Sequence, residues 1–102
     1  MLKKVDKKFP YVIVRTYSAG VFAGEMVKRK GREVELINAR RIWKWAGAAS
    51  LSQLCMEGVK IPSESLFPCE VNRVLLLEAV EILDVTKQAR ESIKNVPIWA
   101  AK

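Results

Sequence analysis

AGVFAGEMVKRKGREVELINARRI, residues 19–42, decides how this chain folds. VFAGEMVK is rich in strand formers, and Gly24 inside it marks a bulge or a point of close backbone approach. KRKGREVELI then reads as a hairpin with Gly31 at its turn and REVELI as the return strand. In that return strand Val34 and Leu36 fall on one face, while Glu33 and Glu35 face away. Two long strands joined by a tight turn are the start of an antiparallel sheet.

Working outward, YVIVRT (11–16) follows Pro10 with a β-branched run and is broken by Ser18-Ala19-Gly20, so it is a preceding strand. After the hairpin, ARRIWKW alternates. Kept extended, it sets Arg41, Trp43 and Trp45 on one face and Arg40, Ile42 and Lys44 on the other, with Gly47 as its stop. Residues 49–57 suit a short helix, with Ser50 near its start and Gly58 at its C-terminal turn. VKIPSESLFP is a loop. VNRVLLLEAVEILDV (71–85) fits a helical face as well as a strand; the strand is favoured because it would close the sheet begun upstream. Thr86 caps a second helix, TKQARESIKN, stopped before Pro97, and Trp99 packs back onto the body. Tyr11 and Tyr17 are expected to pack inside. The fold class is α+β: a small curved or barrel-like, mainly antiparallel sheet with two short helices. Residues 1–8 form a flexible basic arm, and 9–102 one globular domain.

Charge is unevenly placed. Residues 1–51 hold twelve Lys or Arg against four acids, and residues 52–102 hold six against seven, so the net charge of +7 belongs wholly to the first half. Such a half attracts anions: nucleic acid, nucleotide phosphates or an acidic protein. No apolar run approaches the roughly 20 residues that span a bilayer, and the basic N-terminus leads into no secretory pattern. Cys55 and Cys69 are too few for a disulfide scaffold and are expected as reduced thiols.

Enzymatic chemistry finds little support. The chain has no histidine, so the usual base near neutral pH is missing, and no metal-ligand spacing or phosphate-binding glycine loop is present. Cys55 lacks a partner base and reads as a packing residue. Neither a cofactor nor a metal site is expected. Binding suits the residues better. Arg40 and Arg41 offer forked donors to phosphate, Trp43 and Trp45 offer stacking faces, and Ser50, Ser52 and Gln53 add neutral donors near a helix start. Lys28, Arg29, Lys30 and Arg32 at the hairpin tip widen the positive field. The alternative is that Trp43 and Trp45 belong to the core, with the arginines laid over them or paired with Glu33 and Glu35.

Residues 19–42 are similar in pattern to the strand–turn–strand core of Sm-like small barrels, a resemblance that implies assembly into a homo-oligomer with covered edge strands. YVIVRTYSAGVFAG together with ARRIWKWAGAASLSQL, and later LLLEAVEILDVTKQARESI and VPIW, resembles a family of small proteins encoded by tailed bacteriophages. The family marker is RRIW-x-WAGA-x-SLSQL. It carries no catalytic or binding residues with it. The resemblance implies a host-takeover or counter-defence factor acting in the host cytoplasm. The function expected is non-enzymatic binding of a phosphate-bearing ligand around residues 40–53: most sharply a nucleotide immune signal held as by a sponge, more widely RNA or DNA. The alternative is an inhibitor that docks its basic face on an acidic host protein; a minor virion component ranks below both.

Overall fold

The computed structural model describes residues 9–101; the basic arm at 1–8 and Lys102 lie outside the described residues. Five strands, β1 (Tyr11–Thr16), β2 (Val21–Lys30), β3 (Glu33–Arg41), β4 (Glu70–Leu76) and β5 (Ala79–Asp84), form one antiparallel sheet in the order β4-β3-β2-β1-β5. Two helices accompany it, α1 (Leu51–Glu57) and α2 (Lys87–Lys94), with a 3-10 turn at Pro62–Glu64. The architecture is the α+β one expected, with an open, curved sheet.

The ambiguous segment 71–85 is extended, and it sets the curvature. β4 pairs with β3 and β5 pairs with β1, on opposite edges of the sheet, yet only Leu77 and Glu78 separate them. Two residues reach from one edge to the other only if the sheet curls. The corner is fastened on both sides: Ala79 N–H donates to the Arg32 carbonyl at 3.0 Å, and Tyr17 N–H donates to the Glu78 carbonyl at 2.9 Å. Curling buries one face as an interior built from Val12, Val14, Phe22, Val34, Leu36, Ala39 and Leu76. The other face, with Tyr11, Ile13 and Ala23, lies under the helices and packs on Leu54, Cys55, Phe67 and Ile93. Alternation along YVIV thus feeds two cores, one per face.

Two compensating irregularities shape the hairpin. The β2–β3 register shifts between Ala23 and Glu25 and again between Met26 and Lys28. In β3 the extra residue falls between Ile37 and Arg40, where Asn38 takes a left-handed backbone (φ 50°), a conformation asparagine adopts more readily than most residues. Its side chain donates to Glu25 Oε2 at 3.2 Å. The shift reverses the parity of the strand. Leu36 faces the interior, and so does Ala39 three residues later, which sends Arg40 to the helix side.

Several sequence expectations are corrected. ARRIWKW does not continue as a strand: β3 ends at Arg41, and only Lys44 bridges onward, to Leu66. Arg41, Trp43 and Trp45 therefore share no face. Tyr17 is 80% exposed rather than packed, because it sits at the bend after β1. Both helix caps are as read: Ser50 accepts from Gln53 N–H, and Thr86 Oγ1 accepts from Ala89 N–H at 3.1 Å. Thr86 also donates to the Met56 carbonyl at 2.8 Å, locking the start of α2 to the end of α1.

Gly24 and Gly31 matter for different reasons, and stability measurements will separate them. A Cβ on Gly24 would sit 2.9 Å from Ala39 Cα, so Gly24→Ala should cost about 1–3 kcal/mol by forcing β2 from β3. A Cβ on Gly31 meets nothing within 4 Å, so Gly31→Ala should lose only about 1 kcal/mol, the strain of its left-handed backbone (φ 60°). Urea unfolding of both variants checks the order.

Candidate functional site

Arg40 is 2% exposed, and no carboxylate among the described residues pairs with it. Its guanidinium instead meets four backbone carbonyls. Nε donates to Pro68 at 2.8 Å, Nη1 to Ile93 at 2.8 Å, and Nη2 to Phe67 at 2.9 Å and Pro97 at 3.3 Å. The ring of Phe67 lies under the fork, 5.4 Å from ring centre to Cζ. Ile93 belongs to the last turn of α2, where the helix dipole favours a cation, and its carbonyl also accepts from Val96 N–H at 3.3 Å. Burial holds the Arg40 pKa below its ordinary value, with Tyr11, Glu70 and Cys69 acting the other way. Arg40 is thus a clamp, and its donors are spent inside the protein.

Its neighbours in sequence scatter. Arg41 lies over Phe22, 4.3 Å from the ring centre, and donates to the Ala19 carbonyl, closing one end of the curled interior. Trp45 packs on the helix-side core. Trp43 is 64% exposed and stacks on Trp99, with ring centres 6.4 Å apart and planes inclined by 25°. Gln53 is engaged along its own helix: its Oε1 accepts from Ala49 N–H at 2.7 Å and its Nε2 donates to Glu57 at 3.2 Å. Ser50 is occupied as the cap, and Ser52 lends its carbonyl to the Cys55 thiol at 3.2 Å. The core reading holds for Trp45 and the binding reading fits the exposure of Trp43. Neither arginine pairs with Glu33 or Glu35; Glu35 is bound to Arg73 at 2.7 Å. A cleft of about 350 Å³ at Arg40 is lined by Cys69, Glu70, Lys94 and Ile98, not by the tryptophans.

The hairpin tip is different. Lys28, Arg29, Lys30 and Arg32 are all exposed, and none of the ion pairs among the described residues involves them. Strand alternation divides them. Arg29 and Arg32 border a cleft of about 540 Å³ whose far wall is Ala79–Ile82 of β5. Lys28 and Lys30 line a smaller one, about 280 Å³, with Arg73. The β5 wall and Arg73 were not foreseeable from local sequence, since only the corner at 77–78 brings them beside the tip. Nine residues of β3 separate the tip from Trp43, about 30 Å along the strand, so the two surfaces occupy opposite ends of the hairpin. Among the described residues no group of three or more His, Cys, Asp or Glu is placed to hold a metal ion, and no helix is long and apolar enough to cross a membrane.

Tyr11 adds a titratable group to the Arg40 neighbourhood. Its hydroxyl is buried with no hydrogen-bond partner among the described residues, while Arg90 and Lys94 flank its ring at 5.0 and 5.8 Å. Burial first, then the Glu70 charge, pushes its pKa up to about 12 from 10.0. The folded state favours the neutral phenol, so this contribution to stability is whole below pH 10 and lost as pH rises from 10 towards 12. Tyr11→Phe removes an unsatisfied hydroxyl and should stabilise by roughly 1 kcal/mol near neutrality, with a shallower loss over that alkaline window in pH-dependent unfolding. Arg40→Met should cost about 2–4 kcal/mol in the same assay, because the Pro68 and Pro97 carbonyls lose the donor it gives them while those of Phe67 and Ile93 keep a backbone N–H, whereas Trp43→Ala should stay within about 1 kcal/mol.

No curated protein and no solved structure matches this chain. One family model does, over residues 9–93, from just before β1 to the last turn of α2. On that match, which covers the whole sheet and both helices, the chain belongs to the family described as a domain of unknown function (DUF6948).

Proposed function

We propose that this protein is a non-catalytic binder of a phosphate-bearing ligand, nucleic acid or nucleotide, and that it does so through the hairpin tip rather than through residues 40–53. One observation carries the reading: four basic side chains stand exposed on five consecutive positions of a rigid hairpin, divided between its two faces and each bordering a cleft. Arginine forks and lysine ammonium groups so placed attract phosphates without first breaking internal ion pairs. Arg40, by contrast, would have to abandon four carbonyls to serve a ligand.

The resemblance to phage-encoded proteins supports a counter-defence role in the host cytoplasm, the ligand being a nucleotide signal to be sequestered or a nucleic acid to be masked. Self-association fits the same reading. β4 is one edge of the sheet and carries the exposed Val71 and Leu75. A second reading, docking on an acidic host protein, is favoured by the exposed Trp43, Ile98 and Trp99 at the opposite end from the tip.

Fluorescence anisotropy with a labelled single-stranded oligonucleotide tests the proposal. Four phosphate contacts predict a log–log salt slope near about −3, and the variant Lys28→Ala/Arg29→Ala/Lys30→Ala/Arg32→Ala should remove most of the affinity. Salt-insensitive binding, or an unaffected quadruple variant, would sink it.

A further inference from the structure

The two faces of the hairpin tip are not equivalent. On the Lys28 and Lys30 side the smaller cleft is shared with Glu33, Glu35 and Arg73 and offers charge alone. On the other side Arg29 and Arg32 face β5, whose exposed Val80 and half-buried Ile82 make an apolar wall. Gly31 lies between the arginines, and its open side lets a ligand approach the backbone, since even a Cβ there would meet nothing within 4 Å. Arg29 Nε donates to the Gly31 carbonyl at 3.2 Å, which folds the guanidinium over the turn and leaves its terminal nitrogens for a ligand. The carboxylate of Glu81, between Val80 and Ile82 in sequence, points to the opposite face of the strand, where Arg15 holds one oxygen at 3.0 Å.

From this juxtaposition we infer that the cleft between the hairpin tip and β5 receives one nucleotide unit, its phosphate between Arg29 and Arg32 and its base against Val80 and Ile82. The inference rests on the phosphate-binding reading of the tip and names what that reading leaves open, the base. Two features select a nucleoside phosphate over a bare anion. The cleft, about 540 Å³, is of the size that holds small organic ligands rather than a single ion. A bare phosphate would leave Val80 and Ile82 wet, whereas a planar base covers them and gains the free energy of apolar burial. Lys28 and Lys30, on the opposite face, then contact further phosphates when the unit belongs to a chain.

Calorimetric titration of the intact protein with adenosine 5′-monophosphate, ribose 5-phosphate and inorganic phosphate tests this directly. The mononucleotide should bind about tenfold more tightly than ribose 5-phosphate, the increment expected of a covered apolar wall. Val80→Ser should erase that difference while leaving ribose 5-phosphate unchanged, and Arg29→Ala/Arg32→Ala should weaken both. NMR of the wild-type protein should show the Val80 methyl and the Ala79–Ile82 amides shifting with the mononucleotide, independently of any variant. Equal affinity for the mononucleotide and ribose 5-phosphate, or shifts confined to the Lys28 and Lys30 face, overturns the cleft. If the mononucleotide fails to bind while an oligonucleotide still binds with the expected salt slope, the cleft is wrong and the tip reading stands. If neither binds, both fall.

Discussion

A single buried guanidinium fixes the back of this molecule. Arg40 joins β3 to the segment at Phe67 and Pro68, to the last turn of α2, and to the tail at Pro97, all through backbone carbonyls. Lysine could not replace it, because three donors on one nitrogen do not reach four acceptors spread across a plane. Nor would an apolar side chain serve: the Pro68 and Pro97 carbonyls would lose the donor that Arg40 gives them, away from water. The positive charge is tolerated at 2% exposure because the partial negative charges of these carbonyls, one at a helix C-terminus, surround it. Much of the helix-side core is arranged round this clamp. Phe67 is fully buried beneath the fork, and Trp99 N–H bonds the Phe67 carbonyl at 3.0 Å, which brings Trp99 against Trp43.

The clamp depends in turn on one backbone irregularity. Were β3 to alternate strictly from Val34 and Leu36, residue 40 would fall on the same face as they do, among Val12, Val14 and Phe22. A guanidinium there would have no carbonyls to meet. The extra residue at Asn38 puts Ala39 inside and Arg40 under α2. An alanine also suits its neighbour, since Gly24 on β2 approaches the Ala39 backbone too closely for any side chain between them. Gly24, Asn38, Ala39 and Arg40 therefore form one structural statement written on two strands.

That dependence explains what the sequence could disclose. The hairpin and the caps at Ser50 and Thr86 rest on local rules of turn chemistry and capping, and they are legible, whereas residues 71–85 are locally ambiguous and read as extended chiefly because a strand there completes the sheet. The position of Arg40 is not legible, because a parity reversal leaves only an asparagine as its trace, and asparagine is equally at home in a turn. The division of Trp43 from Trp45 was hidden for a related reason. Alternation predicts a shared face only while the strand continues, and β3 stops at Arg41 because the chain turns to bridge Leu66. Tyr17 was misread because an aromatic in a bend has no periodicity to place it. The wall opposite Arg29 was invisible for a third reason: it is built by a corner about fifty residues away along the chain.

Charge mixed with aromatics invites a binding interpretation, yet the same mixture is what a small protein needs when it buries an arginine. Arg40 over Phe67, Arg41 over Phe22 and Arg90 over Tyr11 are internal pairings of that kind. What separates a structural arginine from an available one is the fate of its donors, not the company it keeps in sequence. At the hairpin tip four cations follow one another with no aromatic among them, and that plainness has a physical meaning. Nothing in the fold competes for Lys28, Lys30 or Arg32 among the described residues, and Arg29 gives up only its Nε. Free donors on a rigid turn cost little to reorganise when an anion arrives, whereas withdrawing Arg40 would dismantle the clamp that holds α2 and the tail. Availability therefore favours the tip over residues 40–53 for the binding proposed, while Arg40 ties β3 to α2 and the tail.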